Sequence, residues 1–265
     1  MTLDEKYARL LQTLRGMGSV AVAYSAGVDS TFLLTAAREA LGENAAALTA
    51  VTAAIPQREV KEALDFCKKL GVRHRLVEVD ALAVDAFREN APDRCYHCKK
   101  HIFSALWEAA RAEGCKHLAE GSNLDDDLDY RPGHRAILEL GVESPLRAAE
   151  LTKAEIRALS ERFGLATAAK PSFACLASRV PYGEEITAEK LRRIDAAEQL
   201  LLQRGFSQFR VRSHGDLARI EVLPAEQEKL FALRAEIHEA LKALGFSYVA
   251  ADLYGFRSGS MNETL

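Results

Sequence analysis

Long apolar runs are absent from this sequence, and its charges nearly cancel. The 265 residues include 35 basic and 38 acidic side chains, for a net charge of −3. No segment is apolar over the length that spans a bilayer, and the N-terminus does not have the charged-then-apolar pattern of a leader. We therefore expect a cytoplasmic protein without membrane contacts. No stripe rich in lysine and arginine is present, which argues against a nucleic-acid partner.

Cysteine is scarce and odd in number, with five residues and no export signal. This pattern argues against a disulfide framework and favours thiol chemistry or metal binding. Cys95 and Cys98 form a C-x-x-C, and Cys175 lies in a loop with Lys170 and Arg179. Nearby cations favour the thiolate, which is the form that binds metal or attacks. The other two are predicted to be small buried hydrophobes: Cys67 and Cys115.

A second C-x-x-C, which would complete a four-thiolate zinc site, is missing. If Cys175 lies near Cys95 and Cys98, three thiolates are available. A [4Fe–4S] cluster held by three cysteines exposes one iron, and that iron can bind an extra sulfide. The sequence therefore predicts metal or redox use of Cys95 and Cys98, with Cys175 as a third thiolate if its loop folds back over the cleft.

Two common nucleotide-binding motifs are also missing. No G-x-x-x-x-G-K-[ST] occurs, and the glycine pattern at 16–21 precedes a strand instead of following one. What is present is Ser25-Ala26-Gly27-Val28-Asp29-Ser30, between a buried strand and a helical run. Backbone N–H groups at such a turn, with the positive end of the helix, bind phosphate. The predicted phosphate contacts are Ser25, Gly27, Asp29 and Ser30.

This loop resembles the S-G-G-x-D-S loop of the N-type ATP pyrophosphatases, which hold the pyrophosphate of ATP and transfer AMP to a substrate oxygen. Ala26 departs from the pattern, which has glycine there, so we expect a negative φ at Ala26. Asp29 has two interpretations that stay open. It orients Mg²⁺ through water, or it is an ordinary cap at a helix start.

Strand and helix patterns alternate over the first two-thirds of the chain, which predicts a doubly wound parallel sheet in an α/β fold. Capping boxes at Thr2-x-x-Glu5 and Thr152-x-x-Glu155 open two helices. The predicted domains are a nucleotide domain at 1–165, a cysteine-bearing loop at 166–186 and a smaller C-terminal α/β domain at 187–265. Other predicted helices are Pro56 to Leu70, Lys99 to Glu113, Thr187 to Arg204 and Pro224 to Leu244.

A second loop, Gly121-Ser-Asn-Leu-Asp-Asp-Asp, also follows a predicted strand, so it is expected to face the same cleft as the phosphate loop. Its triplet Asp125–Asp127 is either a metal cluster or a solvated turn. Further along the chain, Arg210 and Arg212 alternate on a strand and leave one face. Two guanidinium groups on one face suit a phosphate, and a solvated strand face is the alternative.

A closer resemblance covers residues from about 20 to about 225. Segments in the same order are similar to the LarE family, the ATP-dependent sulfur transferases of the nickel-pincer nucleotide pathway. They are Gly121-Ser-Asn123, Asp129-Tyr-Arg-Pro-Gly133, Ser144-Pro-Leu146, Leu151-Thr-Lys-Ala-Glu-Ile-Arg157, Lys170-Pro-Ser-Phe-Ala-Cys-Leu-Ala-Ser-Arg-Val-Pro-Tyr-Gly183, Phe209-Arg-Val-Arg212 and His214-Gly-Asp-Leu-Ala-Arg-Ile-Glu221.

The resemblance implies that the enzyme adenylates a carboxylate of pyridinium-3,5-biscarboxylic acid mononucleotide with ATP and Mg²⁺, releases pyrophosphate and inserts sulfur. The product would serve the nickel cofactor of lactate racemase. Some family members donate sulfur from the cysteine that matches Cys175, and others build a [4Fe–4S] cluster on three cysteines. Because Cys95 and Cys98 are present, the resemblance implies the cluster type, with Cys175 as a ligand.

The same resemblance implies contacts for the ligands. Asn123 and Arg131 would bind the nucleotide, and Arg131 could instead pair with the substrate carboxylate. Arg210, Arg212 and Glu221 would bind the substrate, with Glu198 as a weaker acidic candidate. Family members form homo-oligomers, so the resemblance implies one here.

Three alternatives remain. A tRNA thiolase with the same loop would need a basic RNA surface. An ammonia-using synthetase, such as a relative of NAD synthetase, would leave the thiols unexplained. A zinc-stabilised nucleotide-binding module without catalysis would bind zinc at Cys95 and Cys98 and release no pyrophosphate.

Overall fold

The structure is a computed structural model that describes residues 1–128, 132–171, 174–257 and 260. These residues form eleven α-helices and seven strands. The helices are α1 (Leu3–Met17), α2 (Val28–Leu41), α3 (Gln57–Leu70), α4 (Asp85–Arg88), α5 (Arg94–Ala112), α6 (Pro132–Glu139), α7 (Pro145–Ala148), α8 (Lys153–Arg162), α9 (Ala188–Gln203), α10 (Gln227–Ala232) and α11 (Arg234–Ala243). The strands are β1 (Val20–Ala23), β2 (Ala45–Val51), β3 (Arg73–Glu78), β4 (His117–Ala119), β5 (Phe209–His214), β6 (Leu217–Val222) and β7 (Tyr248–Ala251).

The described residues divide into two compact units. One contains Met1–Ala81 and Cys95–Phe173, and the other contains Leu82–Arg94 and Ala174–Leu265. No helix in the described ranges is both long enough and apolar enough to cross a bilayer.

The first unit is built on a parallel sheet with the order β3-β2-β1-β4. Its central strand β1 is apolar on both faces, because Val20 and Val22 enter one core cluster and Ala21 enters another. Helices α1 and α2 pack on the first face and helix α5 packs on the second. The predicted doubly wound α/β fold is therefore confirmed.

The order of the strands reverses at β1. The chain runs from β1 outward through β2 and β3, and then returns to place β4 on the other side of β1. In open parallel sheets, ligands bind at the carboxyl ends of the strands where such a reversal occurs. The loops that follow β1 and β4 meet at this position, and they are the two loops that the sequence singles out.

Capping explains where several helices begin. The Thr2 and Thr152 side chains accept from the backbone N–H groups of Glu5 and Glu155, and the glutamates bond back to the threonine N–H groups. Both predicted capping boxes are confirmed. Helix α5, by contrast, begins at Arg94 instead of the predicted Lys99, so the C-x-x-C lies inside the helix.

The predicted helix from Pro224 to Leu244 is wrong as a single element. Helix α10 ends at Ala232 and helix α11 starts at Arg234, with Leu233 between them at φ −93° and ψ 7°. The apolar spacing continues through this break, so periodicity alone cannot reveal it. Sequence reasoning also did not predict α6 and α7, which are short.

The second unit has a small mixed sheet in the order β5-β6-β7. Strands β5 and β6 are antiparallel, and β6 and β7 are parallel. Apolar side chains from α9 and α11 and from the strands form one core cluster, which includes Leu201, Phe209, Ile220 and Leu241.

Candidate active site

The loop after β1 is closed by its own hydroxyl groups. The Ser30 hydroxyl oxygen accepts from the Ser25 N–H at 3.3 Å and lies 3.1 Å from the Ser25 hydroxyl. The Ser30 hydroxyl donates to the Gly27 carbonyl at 3.2 Å. Gly27 is the N-cap of α2, and no side chain caps that helix. The first N–H groups of α2 therefore remain available for an anion.

Ala26 does not have the negative φ that the sequence predicts. Its φ is 55°, in the left-handed region, and its side chain is 1% exposed. For alanine this conformation costs roughly 1–2 kcal/mol. Burial of the methyl group in the first core cluster offsets part of that cost. The loop thus keeps the backbone shape that a glycine would adopt freely.

The loop after β4 approaches the phosphate loop closely. A Cβ on Gly121 would lie 3.0 Å from the Ser30 nitrogen, so only glycine allows this approach without a shift. Asn123 is buried, and its side-chain N–H donates to Asp29 at 3.4 Å. Asn123 therefore lies at the phosphate loop, where the sequence places a nucleotide contact.

Lys153 is a residue that sequence reasoning did not assign. Its ammonium group forms an ion pair with Asp29, and its backbone N–H donates to Asp125 at 2.8 Å. It stands at the start of α8, directly after the cap Thr152. The available signal was its place inside the quoted segment Leu151–Arg157, but no pattern in the sequence links it to Asp29.

Two members of the aspartate triplet, Asp125 and Asp126, accept backbone hydrogen bonds, and the side chain of Asp127 lies outside what the structure describes. Asp125 accepts from the Lys153 N–H, and Asp126 accepts from the Asn123 N–H at 2.9 Å. These contacts favour the interpretation of Asp125 and Asp126 as turn residues. Within the described ranges, no group of three or more His, Cys, Asp or Glu residues is placed to hold a metal ion.

Lys170 belongs to the first unit. Its ammonium contacts the carboxylates of Glu59 at 2.6 Å and Glu62 at 2.5 Å, and it donates to the Ala26 carbonyl at 3.0 Å. Sequence reasoning did not single out either glutamate. Nothing in their local pattern distinguishes them from other residues of a helix face.

Cys95 and Cys98 lie in the first turns of α5, three positions apart and therefore on one side of the helix. Both thiols are partly exposed. Between them, Tyr96 donates to Glu139 at 2.7 Å, and the Arg135 guanidinium lies 3.8 Å from its ring. Tyr96 thus packs against α6, and these contacts fix the rotation of the first turns of α5.

The two cysteines predicted to be hydrophobes are buried. Cys67 is 1% exposed and Cys115 is 4% exposed. Burial raises the pKa of Cys67 to about 12, and burial also raises the pKa of Cys115. Both thiols stay protonated at neutral pH, so this prediction is confirmed.

Cys175 is exposed, and a buried ion pair holds its backbone. Arg179 donates to the carbonyls of Ala174 at 2.8 Å and Cys175 at 3.1 Å. The same guanidinium makes a two-pronged pair with Glu198, at 2.7 and 2.9 Å, and both side chains are 0% exposed. Glu198 also accepts from the Val211 N–H, which ties the Cys175 turn to β5.

Arg210 and Arg212 lie on the same face of β5, as predicted, but that face is buried. Arg212 pairs with Glu221 through two bonds of 2.8 and 2.9 Å and donates to the Ser178 carbonyl at 2.7 Å. Burial and the charge of Arg179 lower the pKa of Arg210 to about 10. The alternative prediction, that this strand face is exposed to solvent, is therefore wrong. The remaining predicted contact, Arg131, lies outside the described residues.

Comparisons with known proteins identify the family. A protein of Synechocystis sp. is 40% identical over 266 residues, which is 99% of both chains. The pyridinium-3,5-bisthiocarboxylic acid mononucleotide synthase of Lactiplantibacillus plantarum is 37% identical over 100% of this chain and 96% of that enzyme. The chain belongs to the LarE family. Profiles of protein families give no match.

The LarE assignment agrees with more distant similarity. Argininosuccinate synthase of Halobacterium salinarum is 32% identical over 55% of this chain and 39% of its own length. It is an ATP-using protein of the PP-loop superfamily. This LarE-family chain is therefore an enzyme of that superfamily, and its phosphate loop lies at the expected reversal of the sheet.

Proposed function

We propose that this chain is an ATP-dependent sulfur transferase that converts carboxylates of pyridinium-3,5-biscarboxylic acid mononucleotide into thiocarboxylates. The full-length similarity to a synthase named for the bisthiocarboxylic product supports this substrate. One structural observation carries the proposal. Asp29 meets Asn123 and Lys153 at the carboxyl ends of β1 and β4, beside an uncapped helix start.

In the first step, a carboxylate oxygen of the substrate attacks the α-phosphorus of ATP, and pyrophosphate leaves. The N–H groups at Gly27 and Ser30 and the hydroxyl groups of Ser25 and Ser30 would hold the departing anion. Lys153 supplies the cation that this loop lacks. Asp29 would hold the Mg²⁺ that accompanies ATP, and Lys153 would then be free to contact phosphate.

In the second step, sulfur attacks the acyl carbon and AMP leaves. Cys175 is the exposed thiol on the segment that Arg179 holds. Thiolates are the usual ligands of iron–sulfur clusters, so Cys95, Cys98 and Cys175 fit a [4Fe–4S] cluster by donor type. When bound, that cluster would supply an additional sulfide at its exposed iron.

The substrate phosphate would be bound at Arg210 and Arg212, next to Glu221. Three buried guanidinium groups, those of Arg179, Arg210 and Arg212, face two buried carboxylates, those of Glu198 and Glu221. Guanidinium groups bind phosphate through paired, charge-assisted hydrogen bonds, which supports this assignment.

The activity is tested with purified protein, Mg·ATP and the biscarboxylic mononucleotide. We expect pyrophosphate and AMP in equal amounts and a product with the mass change of one oxygen replaced by sulfur. Release of pyrophosphate without incorporation of sulfur into the product would support the adenylation step but contradict the proposed sulfur transfer. If no pyrophosphate forms with this substrate, the proposed function is wrong.

The source of the sulfur is tested by anaerobic purification, followed by iron and acid-labile sulfide analysis. About four irons per chain, lost in Cys95→Ala, Cys98→Ala and Cys175→Ala variants, is the expected result. An iron-free protein that loses one sulfur and two hydrogen atoms at Cys175 after turnover, leaving dehydroalanine, would mean that the cysteine itself is consumed.

A further inference from the structure

Lys170 contacts the phosphate loop at Ala26, the loop residue whose backbone conformation is least favourable. Its ammonium donates to the carbonyl of Ala26, the residue with φ of 55°. The charge of Lys170 is balanced by Glu59, whose side chain is 11% exposed, and by Glu62. All four residues belong to the first compact unit.

Contacts with two helices hold Lys170 in place. Arg157, on α8, donates to the Lys170 carbonyl at 2.9 Å and to the Ala168 carbonyl. Helix α3 supplies the two carboxylates that hold the ammonium. Because both the backbone and the end of the side chain are anchored, the ammonium can hold the Ala26 carbonyl in one direction.

The direction of the Ala26 carbonyl determines the direction of the next N–H group along the chain. A peptide unit is planar and trans, so the Gly27 N–H points opposite to the Ala26 carbonyl. With the carbonyl turned toward Lys170, the Gly27 N–H is turned away from it. Gly27 is the N-cap of α2 and one of the predicted phosphate contacts.

We propose that Lys170 is a positioning residue for nucleotide binding. It holds the Ala26–Gly27 peptide in the orientation that binds the pyrophosphate portion of ATP. The inference rests on the proposed function, because it assumes that ATP binds at this loop. Lys170 acts through the backbone of Ala26 and does not itself contact the phosphate.

The mechanism makes a specific prediction for a double-mutant cycle. Without Lys170, Ala26 is expected to relax toward negative φ, and ATP must then restore the strained form. Glycine adopts positive φ without this cost. The loss of affinity caused by Lys170→Met should therefore be smaller when residue 26 is glycine, because less strain must be restored.

The test is the dissociation constant of Mg·ATP, measured by calorimetry for four proteins: wild type, Lys170→Met, Ala26→Gly and the double variant. We expect Lys170→Met to weaken ATP binding about tenfold in the alanine background and less than about threefold in the glycine background. Lys61→Met, on the exposed side of α3, is the matched control and should bind ATP as the wild type does.

The outcomes separate this inference from the proposed function. If the wild type binds no ATP, the proposed function fails, and this inference fails with it. If the wild type binds ATP and Lys170→Met binds it equally well, only the inference is overturned. Equal losses in both backgrounds would give Lys170 a structural role unrelated to the Ala26 peptide.

A second variant keeps the inference testable if Lys170→Met does not fold. Glu62→Gln keeps the lysine and removes one anchor, at a carboxylate that is half exposed. We expect a smaller loss of ATP affinity, again reduced in the Ala26→Gly background. An Ala26-independent loss would overturn the inference by this route as well.

Discussion

Lys153 forms an ion pair with Asp29, although the two residues are 124 positions apart in the sequence. A Walker loop carries its phosphate-binding lysine within the loop itself, whereas this loop has an aspartate in that place. The tertiary structure brings a lysine from the start of α8 to the same loop. The pair therefore joins the two parts of the first unit that meet at the strand reversal.

Replacing Asp29 tests its role directly. Asp29→Asn should lower pyrophosphate release at least about 100-fold, because the amide cannot balance Lys153 or hold Mg²⁺. The melting temperature should change little, since the Asp29 side chain is 21% exposed. Asp65→Asn, on the exposed surface of α3, is the control and should keep wild-type turnover. Normal turnover of Asp29→Asn would remove this residue from the mechanism.

Arg212 requires a test that separates binding from stability. Arg212→Ala leaves Glu221, which is 1% exposed, paired with Arg219 at 3.2 Å. We expect a loss of about 2 kcal/mol in the free energy of unfolding, measured with urea. Affinity for the pyridinium mononucleotide should fall more than affinity for ATP.

The double variant Arg212→Ala/Glu221→Ala completes this experiment. It removes the uncompensated carboxylate, so part of the stability should return while substrate affinity stays low. If affinity returned together with stability, Arg212 would have a structural role alone.

Both side chains of the Arg179–Glu198 pair are fully buried, so water cannot solvate the charge that remains when one partner is removed. Arg179→Met should lower the free energy of unfolding by about 3–5 kcal/mol, because it leaves a buried charge. Arg179→Met/Glu198→Leu should recover most of that loss in urea unfolding. If the double variant lost the sum of the stabilities lost in the two single variants, the two side chains would not be energetically coupled.

Stability should depend on pH through Glu155. Burial raises the pKa of this carboxyl, but hydrogen bonds from Lys6 and Thr152 outweigh burial and lower it below the ordinary 4.5. The unfolded chain then binds the proton more readily, so the stabilisation is present above 4.5 and is lost as the pH falls through the lower folded value. Glu155→Gln should cost about 1 kcal/mol at pH ~7 and less at pH ~3. Glu161→Gln, exposed on α8, should show no such trend in urea unfolding.

Local patterns predicted much of the fold because the relevant forces act between neighbours in the sequence. The β1–loop–α2 unit, the capping boxes at Thr2 and Thr152 and the buried Cys67 were all predicted from short segments. The break at Leu233 was missed because the apolar period continues through it. Positive φ at Ala26 was missed because alanine rarely adopts it, and the burial of Ala26 and its contact with the distant Lys170 are not visible in the local pattern.

The sequence by itself determined the fold class, the phosphate loop and, by resemblance, the LarE family. These depend on contiguous residues, whose hydrogen bonding and apolar spacing can be recognised directly. Only the tertiary structure decided which charges pair. Lys153 with Asp29, Lys170 with Glu59 and Arg179 with Glu198 are brought together by chain reversal and burial. The energy of such a pair depends on distance and desolvation, and neither can be seen in the order of residues.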